Sequence, residues 1–509
     1  MHEHDHTHIS PPLGRREIWI VTLVSMCLLW TTWTIGGVKL WAQFGSNVIA
    51  FAALAAAVIP SERHGYSNLR SLLRFIPFWL GLFVVGFILA QVLNASWMLE
   101  TGADGKTKAV PLEHIQWLPS GISAAWSAMS PKRMLLIFMP CWLVTCALWC
   151  GSKRPRAIRI LMWAFSINGA AFAIIGVLQS MTKTPKVLWL FDRPVANKWF
   201  WGMMANQNHA AAFMNLALAA SLALFIYYTG RHAKEIARGG VYLMLIPLSV
   251  IIIIGVLQAM SRAGIVVAVL IVVAFLFVLA KRLYKFLKSG GNRKLMLASV
   301  CIMAVVVGSV CFGMRQAVNM EKLTREVRSM FAVADSPESD SRFVIGEASL
   351  DLFQKRPLYG WGAGCYRYFI SSTQKDYPKL MTRKNKPIRI VYAHNEYLNA
   401  LCDLGIVGAL PLFAGVLGLP AYIFLYKRKG IDGALWVGLA GIGTAMLHMS
   451  LEFFMQHPLA ALQFAILLAA VTRMACLSHD RSELRGRQNG KESRAGLVTK
   501  PKVGLSSEG

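Results

Sequence analysis

Apolar runs close to 20 residues long recur from one end of the chain to the other, and the segments between them are often short and rich in Lys and Arg. A helix rises about 1.5 Å per residue, so about 20 residues cover a bilayer core of about 30 Å. Lipid offers backbone groups no hydrogen-bond partner, so such segments cross as helices. Only 15% of the 509 residues are charged, against about a quarter in a soluble protein. The chain therefore reads as an all-α polytopic membrane protein with about 12 transmembrane helices. The spans fall near 18–38, 47–60, 75–95, 133–150, 157–180, 209–229, 241–260, 263–280, 295–313, 397–426, 434–453 and 458–475. The second of these is short for a full crossing.

The connections alternate in character. Arg63, Arg70 and Arg74 fall in one set, with Lys153, Arg154, Arg156 and Arg159, then Arg231, Lys234 and Arg238. Lys281, Arg282, Lys285, Lys288, Arg293 and Lys294 continue it, followed by Lys427, Arg428 and Lys429. Short basic loops stay on the cytoplasmic side, so this set and both termini are expected there. The same rule accounts for most of the +28 formal charge, which leaves no case for nucleic acid. Residues 241–280 are almost continuously apolar, broken at Ser261-Arg262. One long helix would bury Arg262 at mid-bilayer, so two crossings with an outer turn at Arg262 are expected.

The organisation that follows is a cytoplasmic tail at 1–17, nine spans within 18–313, a large periplasmic loop at 314–396 between spans nine and ten, three spans within 397–475, and a polar tail at 476–509. The loop is too long for a plain connection. From Ser341 to Gln354, Phe343, Val344, Ile345, Ala348, Leu352 and Phe353 gather largely on one helical face, and Pro357 ends the pattern. An amphipathic helix at the membrane surface is expected there. The nine cysteines include no CxxC pair, which speaks against a zinc or redox site. His2, His4, His6 and His8 alternate with acids at the start, a pattern that could bind a metal but reads rather as a solvated cytoplasmic tail.

Four polar groups converge on the outer side by topology. They are Arg262 at its turn, Arg342 opening the surface helix, His394-Asn395 before span ten, and Asn206, Asn208 and His209 before span six. Each has a plain explanation alone: interfacial arginines anchor helices, and Asn or His before a helix caps it. Together they suggest an outer polar site rich in Arg with a His. The large loop holds fourteen Lys/Arg against nine Asp/Glu, on a side where basic residues are not required, which suits an anionic lipid headgroup. Guanidinium forks pair with pyrophosphate and stabilise a phosphate leaving group. An imidazole can accept a proton from a hydroxyl. The outer loops contain no DxD cluster, so arginine stands in for a divalent cation and no cofactor is expected. Gly360, Gly362 and Gly364 form a GxGxG run without the strand and helix of a nucleotide site, so a tight turn is expected. Few ionisable residues lie at mid-span, Glu452 being near an end, and no internal repeat is evident, which disfavours a lipid-linked glycan transporter.

Four segments resemble the O-antigen ligase/polymerase superfamily of bacterial membrane glycosyltransferases: GMMANQNHA at Gly202 to Ala210, SRAG at Ser261 to Gly264, Ser341-Arg342 with Arg356 to Gly362, and AHNEYL at Ala393 to Leu398 followed by Leu404 to Gly408. Their order and spacing agree from about residue 200 to 410. The resemblance implies a helical membrane glycosyltransferase fold of the GT-C kind. It implies metal-independent, inverting transfer of a glycan from undecaprenyl pyrophosphate at the periplasmic face of the bacterial inner membrane. Arg262 and Arg342 would bind the pyrophosphate, His394 would be the general base, and Asn395 and Asn206 would position substrate. The acceptor in such proteins is a lipid A core, a growing lipid-linked glycan or a protein serine. No long C-terminal periplasmic domain follows the last span, which gives the protein acceptor the least support.

Overall fold

The computed structural model describes residues 12–60, 65–101, 107–193, 200–229, 240–288, 341–382, 385–426 and 432–477, with the single positions 308, 321 and 324. The span expected at 295–313 lies outside the described residues, residue 308 apart. So do most of 314–340 at the start of the large loop, residues 1–11 and residues 478–509.

Thirteen helices organise the described chain. They are α1 (Arg15–Trp33), α2 (Leu40–Val58), α3 (Ser67–Leu73), α4 (Ile76–Leu93), α5 (Pro131–Gly151) and α6 (Pro155–Met181). Then come α7 (Gln207–Thr229), α8 (Leu245–Gln258), α9 (Arg262–Lys288), α10 (Ser341–Lys355), α11 (Glu396–Tyr426), α12 (Gly433–Met449) and α13 (Pro458–Leu477). A 3-10 turn, Val241–Met244, leads into α8. Nine described helices are long and apolar enough to cross a membrane, counting that turn with α8. α1 carries Arg15, Arg16 and Glu17 in its first turn, and α12 has only 17 residues.

The boundaries show where apolar runs mislead. The run at 18–38 stops being helical at Trp33, because Gly36 and Gly37 take φ of 65° and 71° and turn the chain. The short run at 47–60 extends back to Leu40 as a full-length helix. Its polar first turns are tolerated because Gln43 accepts a hydrogen bond from Arg133 (2.7 Å) and Asn47 donates to the Leu136 carbonyl (2.9 Å). The run at 434–453 leaves the helix after Met449, so Glu452 lies in an irregular link before α13. The connections after α4 and α6 also hold strands that an all-helical reading omits. β1 (Trp97–Thr101) pairs antiparallel with β2 (Thr107–Pro111) and parallel with β3 (Ile122–Ser123). A small antiparallel pair joins β4 (Lys186–Val187) to β5 (Phe191–Asp192).

α7 is the hub of the bundle, 89% buried, and α13 is 94% buried, whereas α4 and α9 are only 28% buried and form its rim. Without a hydrophobic drive between helices in lipid, small residues decide which ones approach closely. Four neighbours place a glycine against α7. A Cβ on Gly169, Gly264 or Gly441 would sit 2.2–2.4 Å from the Cβ of Ala217, Ala211 or Ala219, and one on Gly255 would sit 2.7 Å from the Met214 sulfur.

Side-chain contacts sort the helix ends into two groups. At one end Glu17, Arg154, Arg473 and Arg282 tie together the starts of α1 and α6 and the ends of α5, α13, α7 and α9. We call this the basic end. At the other end lie the α8–α9 turn, the starts of α7, α11 and α13, and the strands. This is the loop end. α8 and α9 are two separate helices meeting at residues 259–261, as the Arg262 break requires.

α10 forms over the expected residues. Val344, Ile345, Ala348 and Leu352 are buried in a second core with Tyr366, Phe369 and Ile390. That core packs on the first part of α11, so protein fills the apolar face. Phe343, expected on the same face, is 52% exposed.

Candidate functional site

Segments distant in sequence meet at the loop end around one carboxylate. Glu452 is fully buried at 0% exposure. Arg342 in the first turn of α10 places Nη2 2.7 Å from Glu452 Oε1. Asn208 in the first turn of α7 donates from Nδ2 to the same oxygen at 2.5 Å. His394, just before α11, holds Nδ1 3.7 Å from Oε2. A charge removed from water is stable only when paired and hydrogen-bonded. Here the pairing makes one carboxylate a clamp across three elements. Arg342 and His394 remain 36% and 31% exposed, so each also has a side turned outward.

The backbone around His394 is held in place. His394 has φ of 51°, a left-handed conformation that a non-glycine residue adopts at a cost of about 1–3 kcal/mol. Asn395 follows and accepts hydrogen bonds from the backbone N–H of Tyr397 (3.0 Å) and Leu398 (3.1 Å), capping α11. Asn206 does the same for α7, accepting from Asn208 N–H at 2.8 Å. The two asparagines expected to position substrate thus give their side-chain oxygens to helix capping.

Arg262 opens α9 at this same end and is exposed. Met260, at φ of 54°, makes the turn before it, and Gln207 donates to the Met260 carbonyl at 3.4 Å. Asn215 donates to the Gly264 carbonyl at 2.8 Å. The α8–α9 turn is therefore bound to α7 one residue from Asn208. The structure brings Arg342 and His394 together through Glu452, and sets Arg262, Asn206 and Asn395 at the same end.

Aromatic rings wall the site. Phe453 lies 4.9 Å, edge to face, from the rings of both His394 and His209, and stacks on Tyr392 at 4.1 Å. The Arg367 guanidinium covers Tyr392 at 4.6 Å. Beneath lie three buried imidazoles, His209, His448 and His457, with His209 and His457 5.5 Å apart. Burial pushes His457 down to about 4, so it is neutral near pH 7. Among the described residues these imidazoles belong to no metal-ligating group.

The glycine run is the turn its context suggested. Gly360, Gly362 and Gly364 have φ of 68°, 107° and 73°. The N–H groups of Gly364 and Tyr366 donate to the Asp403 carboxylate at 3.0 and 2.9 Å. α11 is broken at Gly405, where φ is 62°. Pro357 and Leu358 carbonyls accept from Ile406 and Val407 there, at 2.8 and 3.1 Å. The loop after α10 thus fills the break in α11 and fixes both elements that carry Arg342 and His394.

An apolar groove of about 320 Å³ lies within the bundle, reached by the chain two residues after His394 and four after Glu452. Glu396, Tyr397 and Gln456 line it, and Val84, Phe138 and Val416 are among its apolar walls.

Sequence reasoning placed Asn208 in the converging set but overlooked Glu452, Phe453, Tyr392 and Arg367 as parts of the same site. Only Glu452 carried a signal, as the one acid between Asp432 and Asp480. Residues 247–413 match a family model described as O-antigen ligase. A search of curated proteins finds no match.

Proposed function

We propose, from the premise of the O-antigen ligase superfamily that this match supports, that the protein transfers a glycan from undecaprenyl pyrophosphate to an acceptor hydroxyl. The reaction takes place at the periplasmic face of a bacterial inner membrane, with the basic end in the cytoplasm. The observation that carries this reading is the Glu452 clamp, which gathers a guanidinium and an imidazole beside an apolar groove.

The outward side of Arg342, with Arg262, holds the pyrophosphate and takes up the charge that develops as it leaves. The groove accepts the start of the polyprenyl chain. His394, whose Nδ1 lies 3.7 Å from Glu452 Oε2, presents Nε2 to the acceptor hydroxyl and takes its proton. The freed oxygen attacks the anomeric carbon opposite the leaving group, so the configuration inverts. The glycosidic bond forms as the carbon–oxygen bond to the pyrophosphate breaks. The proton rests on His394 until solvent removes it. Arginine supplies the charge neutralisation, so the step proceeds without a metal.

The test is transfer by purified full-length protein in lipid nanodiscs containing EDTA and an undecaprenyl-pyrophosphate-linked glycan. A lipid A core acceptor and a second lipid-linked glycan, offered separately, distinguish ligase from polymerase. Transfer is expected with wild type and at least a hundredfold less with His394→Ala. Full activity in His394→Ala would remove the base assignment. Arg342→Lys replaces a planar fork by a point charge and is expected to cost roughly tenfold.

A further inference from the structure

A larger cleft, of about 810 Å³, opens between α9, α11 and α12 toward the basic end. It exists because α12 packs mainly on α7 and α9 and touches α11 little. Its deeper walls are apolar, formed by Phe277, Phe424, Trp436, Leu439 and Met446. Gly443 lines it with open space where a side chain would be. Phe277, Phe424 and Trp436 are 69%, 56% and 50% exposed, so the cleft opens at the surface of the described bundle.

The rim is charged. Lys281, Arg282 and Lys285 line the cleft from α9, and Asp432 lines it from the start of α12. Lys281 and Lys285 are one helical turn apart on one face of α9, and both are exposed. Arg282 donates to the Ile226 carbonyl and to Thr229 Oγ1 (3.1 Å), which fixes it against the end of α7. Asp432 is engaged as the cap of α12, accepting from Ala434 and Leu435 N–H at 3.0 and 3.1 Å. Three cations thus face one carboxylate already committed to backbone. Depth agrees with this charge. Nineteen residues separate Arg262 from Lys281, about 29 Å along a helix, so the lysines reach the interface opposite Arg262. Trp436, one turn into α12 at the same end as these lysines, is the residue type that marks the headgroup boundary.

We infer that this cleft is a binding site for one anionic phospholipid. Its phosphate lies between Lys281 and Lys285, and its acyl chains run down past Phe277 and Trp436 toward Gly443 and Met446. Lysine stems cover apolar surface while their ammonium groups reach the headgroup, and each such cation favours anionic over zwitterionic lipid. The site is at the far end of the bundle from Glu452 and does not depend on the proposed reaction.

The test is native mass spectrometry of full-length protein in neutral detergent, titrated separately with phosphatidylglycerol, phosphatidylcholine and undecaprenyl phosphate. Phosphatidylglycerol should bind at least tenfold more tightly than phosphatidylcholine. The double variant K281Q/K285Q should weaken phosphatidylglycerol by roughly thirtyfold and leave phosphatidylcholine unchanged, while K281R/K285R retains wild-type binding. On the wild-type protein, which avoids any folding defect of the variants, raising the salt should weaken phosphatidylglycerol alone. Equal binding of the two phospholipids, salt-independent binding, unchanged affinity in K281Q/K285Q, or displacement of phosphatidylglycerol by equimolar undecaprenyl phosphate would each overturn the inference.

Discussion

The two ends of the bundle use charge in opposite ways. At the basic end, apart from the lysines that line the cleft, charged side chains are consumed by backbone. Arg16 donates to the Ile59 carbonyl (2.6 Å) and Arg473 to the Ser152 carbonyl (2.9 Å). Glu17 accepts from the N–H groups of Lys153 and Arg154, both at 2.8 Å. These groups close helix ends that would otherwise be orphaned. At the loop end the described partners of Glu452 are all side chains, from α7, α10 and the segment before α11. Charge used on backbone stabilises and goes no further. A carboxylate used on other side chains fixes their geometry, and in the proposed reaction it is those side chains that meet the ligand.

The largest expected effect tests the loop end. Glu452→Ala strands Arg342 and His394, and kcat for glycan transfer should fall about 10²–10³-fold. Glu452 acts through its neighbours, so KM for the acceptor should change far less than kcat, and Glu452→Asp should recover part of the rate. Wild-type kcat in Glu452→Ala would separate the clamp from the chemistry.

The next effect belongs to the buried histidines beneath that clamp. His457 titrates near 4 when folded and near 6.5 when unfolded. The unfolded chain therefore binds more protons between these values, and stability rises with pH across that window. Its contribution is fully present above about pH 6.5 and is lost as pH falls toward 4, on the order of 3 kcal/mol in all. Thermal unfolding followed from pH 7 to pH 4 should show this slope, and His457→Asn should flatten it. An identical slope in the variant would assign the pH dependence to other groups.

This contrast also decides what was legible in the chain. Spans and basic loops write themselves locally, because lipid demands apolar runs and the cytoplasmic side attracts Lys and Arg. Arg342 and His394 stood out as polar groups beside helix starts, and Arg262 as a break in an apolar run. The clamp did not, because Glu452 meets Arg342 across 110 residues and Asn208 across 244. No periodicity carries such a pairing. Glu452 also seemed to end a span, whereas the helix stops at Met449 and an irregular link carries the acid into the interior. Asn206 and Asn395 show the converse, since their caps were the plain reading of their positions.

For the charges that close helices at the basic end the expected losses are in stability alone. Glu17 is 6% exposed and holds the start of α6 through two backbone N–H groups and Arg154, 3.2 Å away. Glu17→Ala should cost about 2 kcal/mol, the range for buried charge-assisted hydrogen bonds. Transfer per folded molecule should be unchanged. A loss of kcat matching that of Glu452→Ala would erase the distinction between the ends.

The smallest effect sharpens it. Asp432 caps α12 through Ala434 and Leu435, and α12 leads directly into the link that carries Glu452. Removing a cap costs about 1 kcal/mol, and Asn at that position restores nearly all of it. If Asp432 only closes its helix, Asp432→Ala lowers the unfolding temperature slightly, Asp432→Asn does not, and both turn over like wild type. A kcat defect in Asp432→Ala rescued by Asn would mean that strain at one end of α12 reaches the carboxylate at the other. A defect that Asn fails to rescue would assign the Asp432 charge itself a part in the reaction.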